Sequence, residues 1–142
     1  MAQPDSKPPS LIMVVDDDWL NRELLEGLLG VYGYGVLLAH SGAQALSLAV
    51  ARQPNLILLD VRMPDMSGYA VCERLKANPA TRPIPVVILT ALVIGDEEKQ
   101  KAAQSGAYGI VNRLLPTEQL MEYLATALTA NAPSVGQRQS AS

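Results

Sequence analysis

The chain has a single cysteine, Cys72, so no disulfide can form within it. A reducing compartment is the simpler expectation. No apolar run approaches the ~20 residues of a membrane-spanning helix. The opening "MAQPDSKPPS" lacks the apolar centre of a secretory signal. A cytoplasmic protein with no membrane attachment is expected. Positive charge is not in excess either. Eleven basic residues against fourteen acidic ones leave a net charge of -3, which argues against a nucleic-acid partner, since such surfaces need clustered positive charge.

What is present fits one globular domain. The 142 residues are 49% hydrophobic and 18% charged. Residues 1–10 and 131–142 are rich in Pro, Ser, Gln and Ala and lack apolar periodicity, so disordered tails are expected around a domain spanning 11–130.

Within that domain, short apolar runs alternate with helical patterns. The runs are "LIMVV" (11–15), "GVLLA" (35–39), "LILL" (56–59), "IPVVIL" (84–89) and the weaker "YGIV" (108–111). Their lack of polar alternation predicts strands buried on both faces. Between them, Leu20, Leu24, Leu25, Leu28 and Val31 recur at helical spacing, with Asp18 placed as an N-cap and Gly33 as a stop. "GAQALSLAVA", ended by Pro54, predicts a second helix. "SGYAVCERLKA", capped by Ser67, predicts a third, and "DEEKQKAAQS", followed by Gly106, a fourth. "TEQLMEYLATAL" predicts a fifth, with Leu120, Met121, Leu124 and Leu128 on one stripe. This alternation implies an α/β domain whose parallel sheet carries helices on both faces. Ligands bind beyond the carboxyl ends of such strands.

Those ends carry chemistry. "DDD" (Asp16–Asp18) follows the first strand, Asp60 the third, Thr90-Ala91 the fourth and Asn112-Arg113 the fifth. Crowded carboxylates repel one another and resist desolvation. A divalent cation such as Mg²⁺, which takes oxygen ligands and keeps several waters, resolves that conflict. A hydroxyl and a cation opposite the acids suit the oxygens of a phosphoryl group. Singly, each residue has an ordinary structural role: Asp18 as a helix cap, Asp60 as a turn former, Thr90 as a strand residue, Arg113 as a surface charge. The ordered combination is the signal.

The segments "LIMVVDDDWLNRELLEGLL", "GYGVLLAHSGAQAL", "LILLDVRMPDMSGYAVCERLK" and "IPVVILTA" resemble the receiver (CheY-like) domain of the two-component response-regulator family over roughly residues 11–130. The resemblance implies a doubly wound, flavodoxin-like fold: five parallel strands in the order 2-1-3-4-5 with five flanking helices. It implies a phosphoacceptor, Asp60, charged by a histidine kinase or phosphotransfer protein. Mg²⁺ would be held by Asp17, Asp60 and the backbone carbonyl of Arg62, with Asp16 acting mainly through metal-bound water. Thr90 would bond the phosphoryl group, and Met63, Pro64 and Gly68 would shape the loop. His40, the only histidine, does not match the site and is expected at the surface.

The pattern departs from the family after the fifth strand. In "GAYGIVNRLLP", Arg113 takes the place of the family's lysine, Leu114 that of its proline and Ile110 that of its aromatic residue. Three roles stay open for Arg113: contact with phosphate, solvation, or pairing with Asp16 or Asp17. Tyr108 is a candidate stand-in for the missing ring. Two readings follow. One is a stand-alone receiver, not an enzyme, phosphorylated on Asp60 and signalling through a downstream protein or a homodimer via the fourth helix, fifth strand and fifth helix. The other is a phosphorylation-independent interaction module that keeps the fold. A haloacid-dehalogenase-type phosphatase fits less well, because Arg62 stands where its second acid belongs. In a flavodoxin-like electron carrier "DDD" would repel the flavin phosphate. The apolar "ALVIG" (91–95) either packs inward or presents a partner patch.

Overall fold

The computed structural model describes residues 10–130. The expected tails therefore lie outside the described residues, Ser10 excepted. The apolar runs form β1 (Leu11–Val15), β2 (Gly35–Ala39), β3 (Leu56–Asp60), β4 (Val86–Thr90) and β5 (Gly109–Asn112). All pair in parallel in the order β2-β1-β3-β4-β5. Between them lie α1 (Trp19–Val31), α2 (Gly42–Arg52), α3 (Gly68–Ala77) and α4 (Asp96–Ser105), and α5 (Thr117–Ala130) closes the fold. None of these helices is long and apolar enough to cross a membrane.

Strand parity divides the core in two. Met13, Val15, Ile57, Leu59, Val86 and Ile88 face one way and pack with side chains of α2, α3 and α4. Ile12, Val14, Leu56, Leu58, Val87 and Leu89 face the other way, against α1 and α5. Burial on both faces explains why the central strands read as unbroken apolar runs.

Local chemistry sets the helix ends. The Asp18 carboxylate accepts from Leu20 N at 2.9 Å, Ser41 Oγ from Gln44 N at 3.1 Å and Ser67 Oγ from Ala70 N at 3.1 Å. The fourth helix stops at Gly106, whose φ of 89° suits a residue without a Cβ. The second stops one residue before Gln53, which takes the left-handed conformation (φ 50°) ahead of Pro54.

The structure corrects four expectations, one being that the fifth strand spans Gly109–Asn112, one residue later than the expected 108–111. The fourth strand starts at Val86, not Ile84. Pro85 has no N–H for the ladder, and Ile84 N donates back to Thr81 O at 3.0 Å in a turn. Asp60 belongs to β3 and stands opposite Leu89. In α1 the expected apolar stripe is two stripes. Leu29 is fully buried and Leu25 and Leu28 pack beside it, whereas Leu20, Leu24 and Val31 are exposed. Only the side spaced at 25, 28 and 29 meets the sheet.

One glycine fixes the approach of α3 to the site. A Cβ on Gly68 would press on the backbone carbonyl of Asp60, and Gly68 N donates to Val61 O at 2.7 Å. Gly68→Ala is expected to cost about 1–3 kcal/mol, as overpacking does. Urea unfolding measures this, and an unchanged midpoint would show that the loop yields freely.

Candidate functional site

Strand register brings the predicted residues to one rim. Val15 lies beside Leu59, Asp60 beside Leu89 and Thr90 beside Asn112. Asp16, Asp60, Thr90 and Arg113 therefore converge from four strands on a cleft of about 470 Å³ that Asp17 also lines. A larger groove of about 730 Å³ lies beyond Arg62 around Met63, Met66 and Tyr69. Lys101 at its edge pairs with Glu97 at 3.4 Å, and among the described residues the one group of three acids close enough to share a metal ion lies in the smaller cleft instead.

Asp16 is buried at 2% exposure, and both of its carboxylate oxygens are used. Oδ1 accepts from Asp18 N at 2.9 Å and Oδ2 from Arg113 Nη2 at 3.1 Å. Its backbone carbonyl accepts from Arg22 Nη1 at 2.6 Å. Asp60 Oδ1 accepts from the same Arg113 nitrogen at 2.7 Å, and its Oδ2 from Arg62 N at 3.2 Å. Asp17 is exposed. Burial, and then the charge of Asp16, push the Asp60 carboxyl above its ordinary pKa, against the opposing pull of Arg113 and Arg62 N–H.

Thr90 is buried. Its hydroxyl oxygen accepts from Leu92 N at 3.0 Å, and its carbonyl accepts from Arg113 N at 2.8 Å. The β3–α3 loop is fastened by Asp65, a residue the sequence reading did not single out. Its carboxylate accepts from Gly42 N and Ala43 N, each at 3.0 Å, and these bonds hold its pKa below the ordinary value. A carboxylate able to reach an N-terminus 22 residues away leaves no local pattern to read.

Arg113 answers one open question. Among the three roles it takes pairing, with Asp16 as anticipated and also with Asp60, which was not anticipated. Tyr108 does not stand in for the missing ring. It lies level with Val86, four residues or roughly 13 Å back along the strand from the end that carries Thr90. Its ring instead meets Tyr123 edge-on at 5.7 Å. The two loops at the rim are joined by Asn112, whose Nδ2 donates to Leu92 O at 3.0 Å while its Oδ1 accepts from Leu114 N at 2.8 Å. His40 is exposed, as expected. In the 91–95 segment Leu92 and Val93 are exposed and Ile94 is half-buried, so the segment divides between the two alternatives.

The acids suit a divalent cation. Asp16, Asp17 and Asp60 each offer a carboxylate oxygen, all within 4.8 Å of one another. Three carboxylate oxygens this close together suit a hard, water-retaining ion such as Mg²⁺.

The response regulator receiver domain family matches residues 12–125, and the chain belongs to that family. It is 47% identical over 96 residues to the response regulator PleD of Caulobacter vibrioides, covering 68% of this chain but only 21% of PleD. It is 38% identical over 101 residues to the polar-differentiation response regulator DivK of Brucella anthropi, covering 70% and 82% of the two chains. The structure of the Vibrio cholerae chemotaxis protein CheY4 superposes with a TM-score of 0.79 at 27% identity, over 84% of this chain and 98% of CheY4. Receiver domains are signalling domains that bind Mg²⁺ through an Asp cluster and interact with histidine kinases or phosphotransfer proteins.

Proposed function

We propose that the chain accepts a phosphoryl group on Asp60 from a phosphohistidine donor. The observation that carries this reading is the convergence of three carboxylates, the Thr90 hydroxyl and the Arg113 guanidinium on one cleft. A carboxylate oxygen of Asp60 attacks phosphorus. The P–N bond breaks, its electron pair returns to the donor imidazole, and an acyl phosphate forms on Asp60. Asp17, Asp60 and the backbone carbonyl of Arg62 would hold Mg²⁺, with Asp16 acting mainly through its water, and the ion would supply charge neutralisation for the phosphoryl oxygens. Thr90 contributes a hydroxyl to one of those oxygens, and Arg113 a cation.

The exposed stripe of α1 supports a helical donor. Leu20 and Leu24 begin just beyond the acids and run along the outer face of the helix, where Leu24 is 63% exposed. A helix carrying the phosphohistidine can cover that stripe while its imidazole enters the cleft. Leu20→Ser with Leu24→Ser is expected to slow transfer from a protein donor tenfold or more and leave labelling by a small phosphodonor unchanged. Equal losses with both donors would count against docking here.

The test of the main reading is intact mass after incubation with Mg²⁺ and a small phosphodonor, beside Asp60→Asn. One Mg²⁺-dependent phosphoryl adduct on the wild type, absent from the variant, is the expected result. The second reading is a phosphorylation-independent interaction module. Its support is that Arg113 and Arg62 N–H already occupy both oxygens of Asp60. A folded wild-type protein that takes no adduct would favour it. The exposed Leu92 and Val93 mark the loop leading into α4 as one surface for protein contacts.

A further inference from the structure

We propose that Arg113 is a latch that holds the phosphoacceptor closed, and that a divalent cation entering at Asp17 has to displace it. The inference rests on the metal and phosphoryl reading of the cleft. A single guanidinium nitrogen bridges Asp16 Oδ2 and Asp60 Oδ1, at 3.1 and 2.7 Å. The second oxygen of each carboxylate is occupied by a backbone N–H, from Asp18 at 2.9 Å and from Arg62 at 3.2 Å. Each oxygen of the buried Asp16 and the half-buried Asp60 therefore already accepts a hydrogen bond, and one from each acid is held by the same cation. Asp17 differs: it is exposed, and no hydrogen bond to its carboxylate is found among the described residues.

A guanidinium and a metal ion cannot share those two oxygens at contact distance, because like charges repel most strongly where water is scarce. An arginine suits the closed state. Its planar head is weakly hydrated and bonds carboxylates in a fixed geometry, whereas a lysine is a strongly hydrated point charge on a flexible stem. The latch can also open. The Arg113 side chain is 20% exposed, so its head has a route to solvent when the metal takes Asp60. Metal loading and release of the phosphoacceptor are then one event, and the metal-free protein resists phosphorylation by construction.

The test is a Mg²⁺ titration of the full chain, read by Trp19 fluorescence and by NMR of the arginine guanidinium groups at low temperature. Trp19 is the only tryptophan and opens α1 beside the acids. Arg113→Ala is expected to bind Mg²⁺ at least tenfold more tightly than the wild type. In the wild type, the slowly rotating guanidinium signal of Arg113 should collapse to a fast-averaged one as Mg²⁺ saturates. Equal affinities, or an Arg113 signal unchanged at saturation, would overturn the latch while leaving the metal site standing. The second readout excludes a mere change in net charge and needs no variant to fold. Failure of both proteins to bind Mg²⁺ would overturn the metal reading together with the latch.

Discussion

Asp60→Asn is expected to abolish the phosphoryl adduct and, in metal-free buffer at neutral pH, to raise the melting temperature. Both effects come from one carboxylate. Asparagine keeps the size of the side chain and an oxygen that can accept from Arg113, but it has no nucleophilic oxyanion. The stability effect follows from the charge. Burial raises the Asp60 pKa most and the Asp16 charge next, and together they outweigh Arg113. Ionised Asp60 is therefore worse off in the folded protein than in the unfolded chain.

The sign follows from linkage. Because the folded pKa lies above the unfolded one, the native state holds more protons between the two. The stability associated with that proton is fully present below the unfolded value, ~3.9 for an ordinary aspartate. It is lost as pH rises through the folded value. Asparagine does not titrate, so its advantage should be largest near neutrality and shrink toward pH 4. Thermal melts of both proteins with a chelator, at several pH values, measure this. A variant less stable at neutral pH, or a gain independent of pH, would mean that the Arg113 pair outweighs desolvation. Added Mg²⁺ should reduce the gain, since the metal relieves the repulsion among the carboxylates. A site that stabilises the protein when emptied of charge is a common cost of function.

Leu58→Ala should produce the largest loss of stability, about 3–4 kcal/mol by analogy with buried Leu→Ala changes. Leu58 is wholly buried in the central strand and packs in the cluster shared with α1 and α5. Its neighbours Val14 and Val87 lie on flanking strands, held in register on both sides, so they have little freedom to close the cavity. Urea unfolding with an unchanged slope gives the difference directly. A loss under 1 kcal/mol would show that the helices relax onto the sheet. Leu58 lies two residues before Asp60 on the same strand, so the variant also tests whether core packing holds the phosphoacceptor in place.

Much of the fold was legible because its signals are local. The central strands are buried on both faces, which forces unbroken runs such as "LILL" that few other settings require. Asp18, Ser41 and Ser67 cap helices through backbone N–H groups two or three residues away. The bounds of α4 follow from acids at its start and a glycine after its end. Asp16, Asp60 and Thr90 were legible as a site because each follows or ends an apolar run, and parallel strands deliver such positions to one rim.

Other features depend on partners far away in the chain. Leucine is abundant all round α1, so composition cannot say which side meets the sheet. Packing against β-strand neighbours buries Leu29 and leaves Leu20, Leu24 and Val31 outside. Tyr108 and Ile110 could be weighed against each other only once the register placed Tyr108 just before the start of β5, away from the rim. The pairing of Arg113 lies furthest from the sequence. Its partners are 97 and 53 residues away, and one guanidinium nitrogen bonds both. Residue order is sufficient to place a base at the rim of this sheet. Which carboxylates it holds depends on atomic distance and burial, because charge pairing falls off with separation and strengthens where water is excluded.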